Sequence, residues 1–214
     1  MSLKGGKTGM DCSIQLGDMG VGFGDYKNNP LPVFSFNHKW IRGNHDNPSI
    51  CKKHPNYMGD YGYDEGSGIF FLSGGFSVDH LMREEGLNWW KDEELNSLHL
   101  NNAIKLYKEK TPKVVVSHEC PTEVKYHVLT NDMKGEIVSN TEAVLQAMLD
   151  IHRPNYWIFG HHHNKVEVNI EGTQFVCLDE MISGSVVDCF YEIPELKWDN
   201  LPAEKNNTIT NKNN

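Results

Sequence analysis

The chain has 214 residues, a formal net charge of −9 and a hydrophobic fraction of 38%, with a mean hydropathy of −0.54. That length suits one domain with a real core, read as residues 1–200, followed by a polar, disordered tail over 201–214. The acidic balance argues against a general grip on nucleic acid or anionic lipid. No apolar run approaches the ~20 residues that span a bilayer, and the cysteines (Cys12, Cys51, Cys120, Cys177, Cys189) form no C-x-x-C pair, so they read as reduced thiols of a cytoplasmic protein.

The opening "MSLKGGKTGM" lacks the apolar stretch of a signal peptide. Its "GGKTG" is not a phosphate-binding loop, because the leading glycine of that motif falls on Met1. "CSIQLG" (12–17) is a short strand, and "VFSFNHKWIRG" (33–43) holds one or two more. "CKKHPNYMGDYGYDEG" (51–66) reads as a loop, with Lys52, Lys53 and His54 either solvated, the simpler reading, or facing an anionic substrate. "GIFFLSGG" (68–75) is a strand closed by glycines. Apolar spacing predicts a helix within 88–110, with Trp89 and Trp90 either packing its start onto a sheet, the commoner use of buried aromatics, or lining a substrate groove. "KVVVSH" (113–118) is a buried strand by its β-branched run. Ser139 and Glu142 open a helix with capping-box spacing. "NYWIFG" (155–160) is a strand, "KVEVNI" and "TQFVCL" flank Glu171-Gly172 as a hairpin, and "VVDCFYEI" is a last strand. Strands alternating with helices make an α/β layered fold.

Chemistry gathers where strands end. Asp18 follows the first strand, Asn44, His45 and Asp46 follow "KWIRG", His118 follows "KVVVS", and His161, His162 and His163 follow "NYWIFG". In layered α/β folds functional groups collect at the carboxyl ends of strands. In an extended segment residues two apart point the same way, so His161 and His163 are expected to face one site and His162 another. A set of Asp, Asn and His without Cys suits borderline divalent ions such as Mn, Fe, Co or Zn. Such a set fits a two-metal hydrolytic centre, which lowers the pKa of a water and clamps phosphate oxygens.

"LGDMG", "RGNHD", "VVSHECPT" and "FGHHHN" resemble, in order, the G-D, G-N-H-[DE], H and G-H-x-H motifs of the calcineurin-like metallophosphoesterases, across residues 17–163. "SGGFSVDHLMREEGLNWWKDEEL" is similar, more loosely, to a segment of phage-type and bacterial members. The resemblance implies a β-sandwich flanked by helices and a phosphatase acting on a phosphomonoester or phosphodiester. It implies that Asp18 bridges two metals, that Asn44, His118 and His161 bind the second, and that His163 binds the first. It implies that His45, held by Asp46, protonates the leaving alkoxide. Arg42 either contacts phosphate at the lip or forms a salt bridge beside its strand. Candidate substrates are a phosphoprotein, a nucleotide or nucleic-acid ends; the acidic balance favours a phosphorylated small molecule or a phosphopeptide over long nucleic acid, and no membrane partner is expected.

One motif of that family is not found. Its D-x-H, at the end of the first strand, is expected roughly 25 to 40 residues before G-D from the length of a βαβ connection. Only 17 residues precede Asp18, and the sole D-x-H in the chain is Asp150-Ile151-His152, at a helix end and out of order. The expectation is therefore a fold lacking its first strand, by truncation or natural loss. One metal position keeps four ligands, Asp18, Asn44, His118 and His161; the other keeps only Asp18 and His163. An open sheet edge would invite self-association. The alternatives are an impaired or inactive fragment, a binding scaffold, or a slow hydrolase with one ion.

Overall fold

The computed structural model describes residues 12–24, 38–129, 138–180, 185 and 187–193. Its elements in chain order are β1 (Ser13–Leu16), β2 (His38–Ile41), α1 (Pro48–Cys51), β3 (Tyr61–Asp64), β4 (Ile69–Leu72), α2 (Ser97–Lys110), β5 (Val114–Ser117), α3 (Thr122–Val128), α4 (Asn140–Ile151), β6 (Tyr156–Phe159), β7 (Val166–Ile170) and β8 (Thr173–Cys177).

Two sheets result. β1 and β2 pair in parallel, Ser13 opposite His38 and Leu16 opposite Ile41. The larger sheet runs β3-β4-β5-β6-β8-β7. Its four inner strands are parallel, and β3 and β7 are antiparallel edges. Alternation along the inner strands divides the core. Phe70, Leu72, Val115, Trp157, Phe159 and Phe175 pack with Leu100, Ala103, Tyr107, Leu145 and Met148 of the helices. Ile69, Phe71, Val114, Val116, Ile158 and Val176 point the other way and bury Leu16 and Ile41 of the small sheet. The layers are therefore helix, large sheet, small sheet, as expected for a metallophosphoesterase-like α/β fold. All six parallel strands can thus deliver their following residues to one end of the molecule, and four of them deliver candidate ligand side chains there.

Local chemistry sets most boundaries. Asn96 caps α2 by accepting from the His99 N–H at 3.0 Å. Thr111 ends that helix in the left-handed region at φ 40°, just before Pro112. Ser139 caps α4 by accepting from the Glu142 N–H at 3.1 Å. The β7–β8 hairpin turns on Glu171 (φ 49°) and Gly172 (φ 89°), the two consecutive positive φ values of a type I′ turn.

Four expectations need correction. Residues 88–96 are not helical, because their side chains are committed to tertiary contacts. Trp90 is buried at 6.0 Å from the Phe23 ring, Glu93 binds Ser77, and Glu94 accepts from the Thr141 N–H at 2.8 Å. Part of the expected 51–66 loop is strand β3, paired with β4 through Tyr61–Asp64. There His54 accepts from Trp40 Nε1 and Lys52 pairs with Asp60, so neither belongs to the strand-end cluster. α3 follows His118 where no element was expected. Residues 187–193 of the expected last strand form a turn and irregular chain instead, the Asp188 N–H bonding Ser185 O at 2.8 Å. The possible strand over 33–36 and the tail lie outside the described residues. No helix among the described residues is long and apolar enough to cross a membrane.

Candidate metal centre

Close approach of the strand ends depends on two glycines. Gly17 leaves β1 at φ 98° and Asp18 follows at φ 55°, a sharp reversal that turns the carboxylate inward. A Cβ on Gly17 would lie 2.5 Å from His118 Nδ1, and one on Gly43 would overlap Asp18 Oδ1 and the His118 ring. The glycines ahead of Asp18 and Asn44 are therefore steric requirements of the site.

Asp18, His118 and His161 place one ligand atom each within 4.8 Å of one another. His118 Nδ1 lies 2.7 Å from Leu16 O. A carbonyl only accepts, so Nδ1 carries the proton and Nε2 presents a lone pair. That Nε2 is 3.0 Å from Asn44 Oδ1, 3.1 Å from His161 Nδ1 and 3.4 Å from Asp18 Oδ1. The Asn44 amide nitrogen is directed away, donating to Ser77 Oγ at 3.0 Å, which leaves its oxygen facing the cluster. His161 Nε2 faces the Glu119 carboxylate at 3.4 Å, so the proton of that ring belongs on Nε2 and its Nδ1 also presents a lone pair. Four acceptor atoms from four strand ends thus converge with no hydrogen to share. That is the donor set of a cation site, and its spacings approach the ~3.4 Å edge of a tetrahedron with bonds of ~2.1 Å.

Buried charge around the cluster is biased to match. Burial pushes the Asp18 carboxyl up, but His118, His45 and His161 together with the His45 N–H at 3.0 Å outweigh it and hold its pKa below the usual range. Burial lowers His161 to about 3 against the pull of Glu119, so the ring is neutral and able to ligate at neutral pH. Glu119 is buried too, yet His161 and His162 keep it ionised and well below the carboxylate range.

The three histidines divide differently from the alternation expectation. His162 points away, its Nε2 at 2.8 Å from Glu119 Oε1 and 3.3 Å from Cys120 Sγ. His163 does not join His161. Its half-exposed ring sets Nδ1 2.7 Å from Glu180. The reason is backbone geometry: His161 (φ 69°) and His163 (φ 47°) are both left-handed, and the His162 N–H folds back on Gly160 O at 2.8 Å. Two-residue alternation belongs to extended chain and fails in such a turn. The described residues therefore bring together Asp18, Asn44, His118 and His161, without His163. Asp150 and His152 lie elsewhere, Asp150 bonded to Gln146 and His152 to Pro112 O.

The residues around the G-N-H-D turn are also reassigned. Asp46 is buried and does not hold the His45 ring. Its two oxygens accept from the N–H groups of Val21 at 3.0 Å and Gly43 at 2.8 Å, tying the two ligand loops together. Burial, reinforced by the charge of Asp18, pushes its pKa up against those two bonds. Arg42 does not reach the lip. It is 1% exposed, with Nε on Asp60 at 3.1 Å and Nη1 on Glu93 O, so the salt-bridge reading holds. His45 instead stacks on Phe23, ring centroids 4.8 Å apart, and its Nε2 is met by Arg83 Nη2 at 2.9 Å. Burial lowers the His45 pKa, and Arg83 and His118 add to that against Asp18.

Sequence reasoning missed Glu119, Ser77, Glu93 and Arg83. Glu119 backs His161 and His162. Glu93 accepts from the Ser77 N–H at 2.8 Å and from Ser77 Oγ at 2.6 Å, and Ser77 Oγ in turn accepts from Asn44. Burial raises the Glu93 pKa against the bonds from Ser77. A signal existed for three of them: Ser77, Arg83 and Glu93 lie in the looser resemblance after β4. Glu119 had only its place beside His118.

The ends of parallel strands from two layered sheets thus carry a candidate cation site, an arrangement that suits a metal-binding α/β protein. The sequence model of the calcineurin-like phosphoesterases matches residues 15–165, from β1 to the loop after β6, and the chain belongs to that family. No curated protein matches the chain.

Proposed function

We propose that this chain hydrolyses a phosphomonoester or phosphodiester in a metal-dependent reaction, with His45 as the proton donor to the leaving oxygen. The observation that carries this reading is the convergence of four lone pairs beside His45. Asp18, Asn44, His118 and His161 would hold a divalent ion, which would supply a Lewis acid for a phosphoryl oxygen and lower the pKa of a water. The chain does the rest. Glu119 keeps the His161 lone pair forward, and Glu93 through Ser77 fixes the Asn44 amide. Phe23 orients the His45 ring, and Asp46 holds the two loops in register. The placement of His163 on Glu180 favours a single well-formed ion position. The net charge of −9 supports a small phosphorylated molecule or a phosphopeptide over a polyanion.

The test combines metal stoichiometry, by elemental analysis after incubation with Mn²⁺ and desalting, with turnover of p-nitrophenyl phosphate. Near one ion per chain with metal-dependent turnover is expected. His45→Ala is expected to keep the ion and lower turnover by about 10²-fold. Metal binding without any turnover would replace the enzyme with a binding scaffold, and no bound metal would end the metal reading.

A further inference from the structure

Arg83 is the one cation among the described residues bonded to the His45 ring, and it is held as a tool is held. Its Nε pairs with Asp79 at 2.7 Å. Its Nη1 donates to Asn88 O at 3.3 Å and its Nη2 to His45 Nε2 at 2.9 Å. Its guanidinium carbon sits 5.7 Å from the Phe23 ring centroid, and the side chain is 13% exposed. Guanidinium carries five N–H groups in a rigid fork. The bonds above use one on each Nη nitrogen, and Nε faces Asp79 as an ion pair, leaving one hydrogen on each Nη nitrogen without an acceptor among the described residues. The two Nη nitrogens share one edge of the guanidinium, and one N–H from each, aimed along that edge, matches two oxygens of a phosphoryl group. The bond to His45 is also one that must break, since Nε2 cannot accept from Arg83 and donate to a leaving group together.

We propose that Arg83 is a catalytic residue: its fork binds two non-bridging phosphoryl oxygens, giving up His45 Nε2 as it does so, and thereby selects a phosphomonoester. This rests on the hydrolase reading above and deepens it. The count of oxygens carries the choice. One ion position would take one non-bridging oxygen, and the fork takes two. A monoester has three such oxygens, whereas a diester has only two and leaves one donor unpaired. Burying an unpaired donor beside a dry anion costs more than forgoing it.

The experiment uses the full chain loaded with Mn²⁺, comparing p-nitrophenyl phosphate with bis(p-nitrophenyl) phosphate for the native protein, Arg83→Gln and Arg83→Lys. The native protein is expected to prefer the monoester. Arg83→Gln is expected to lose about 10²-fold in kcat/KM on the monoester and at least about tenfold less than that on the diester, with metal stoichiometry unchanged. Arg83→Lys, a point charge without a fork, is expected to restore only a small part. Equal losses on both esters, no loss on either, or a loss of bound metal overturns the assignment. Inertness of the native protein toward both esters defeats the hydrolase reading instead. Inorganic phosphate then decides Arg83 alone, by calorimetric titration: binding weakened at least about tenfold in Arg83→Gln supports it, and unchanged or absent binding in the native protein overturns it.

Discussion

Two groups of ligand-type side chains lie back to back at the ends of β5 and β6, and only one is built for an ion. Asp18, His118 and His161 form the first, and Glu119, Cys120 and His162 the second, each with its ligand atoms within 4.8 Å. Composition would favour the second, since it has a thiol, an imidazole and a carboxylate. Hydrogen bookkeeping favours the first. In the second group Glu119 Oε1 accepts from the Cys120 N–H at 2.8 Å and meets His162 Nε2, so donors face acceptors. Burial raises the Cys120 thiol well above its ordinary value, aided by Glu119, which disfavours the thiolate that binds metal. In the first group every facing atom is an acceptor. Proximity of ligand types does not make a site; unshared lone pairs do.

The largest expected effect breaks the first group outright. His118→Ala removes the central lone pair, and bound Mn²⁺ after desalting is expected to fall to background; retention of a full equivalent would show that Nε2 is not a ligand. Next comes the carboxylate shared by both groups. Glu119→Gln lets His161 turn, and metal affinity is expected to fall about 10- to 100-fold. Cys120→Ser, in the same titration, is expected to leave affinity unchanged. A thiolate-to-metal absorption band on adding Co²⁺, lost in Cys120→Ser, would reverse the comparison.

The smallest effect is on stability in acid. Folded His161 titrates near 3, whereas an unfolded histidine titrates near 6.5. As pH falls below that unfolded value, the unfolded chain gains a proton that the folded chain refuses. The stabilising contribution is therefore complete above about pH 6.5 and is lost progressively toward 3. Between pH 7 and 5 the metal-free protein is expected to lose about 2 kcal/mol in urea denaturation, with His45 adding in the same direction. Asp18 and Glu119, both lowered, lose their contributions only further down, as pH falls from their unfolded values near 4. Equal stability at pH 7 and 5 would contradict a buried, neutral His161.

Legibility followed the range of the interaction. Asp18, Asn44, His118 and His161 were readable because each follows a strand, and parallel strands in layered sheets bring their ends together. The β7–β8 hairpin and the α4 cap were readable because their determinants lie within a few residues. His163 was misread because alternation was carried past the end of β6 into left-handed backbone. Trp89 and Trp90 were misplaced because the side chains of 88–96 answer to Phe23, Ser77 and α4 rather than to their own neighbours. Asp46 was assigned to the His45 ring by position beside it, and Arg42 was left between phosphate and a salt bridge, while the partners that settle them, Val21 and Asp60, could be found only in space.

By itself the sequence determined the family, the layered fold and four residues of the candidate ion site, through a short ordered set of motifs whose spacing survives any detail of packing. The tertiary structure alone decided which hydrogen each imidazole carries, and that choice separates a cation site from a closed hydrogen-bond network. Leu16 O and Glu119 make that choice, Ser77 makes the matching one for the Asn44 amide, and Arg83 faces His45 across 38 residues of chain. Hydrogen bonds to such partners depend on directions and on distances of a few ångströms, which a linear order of residues does not contain.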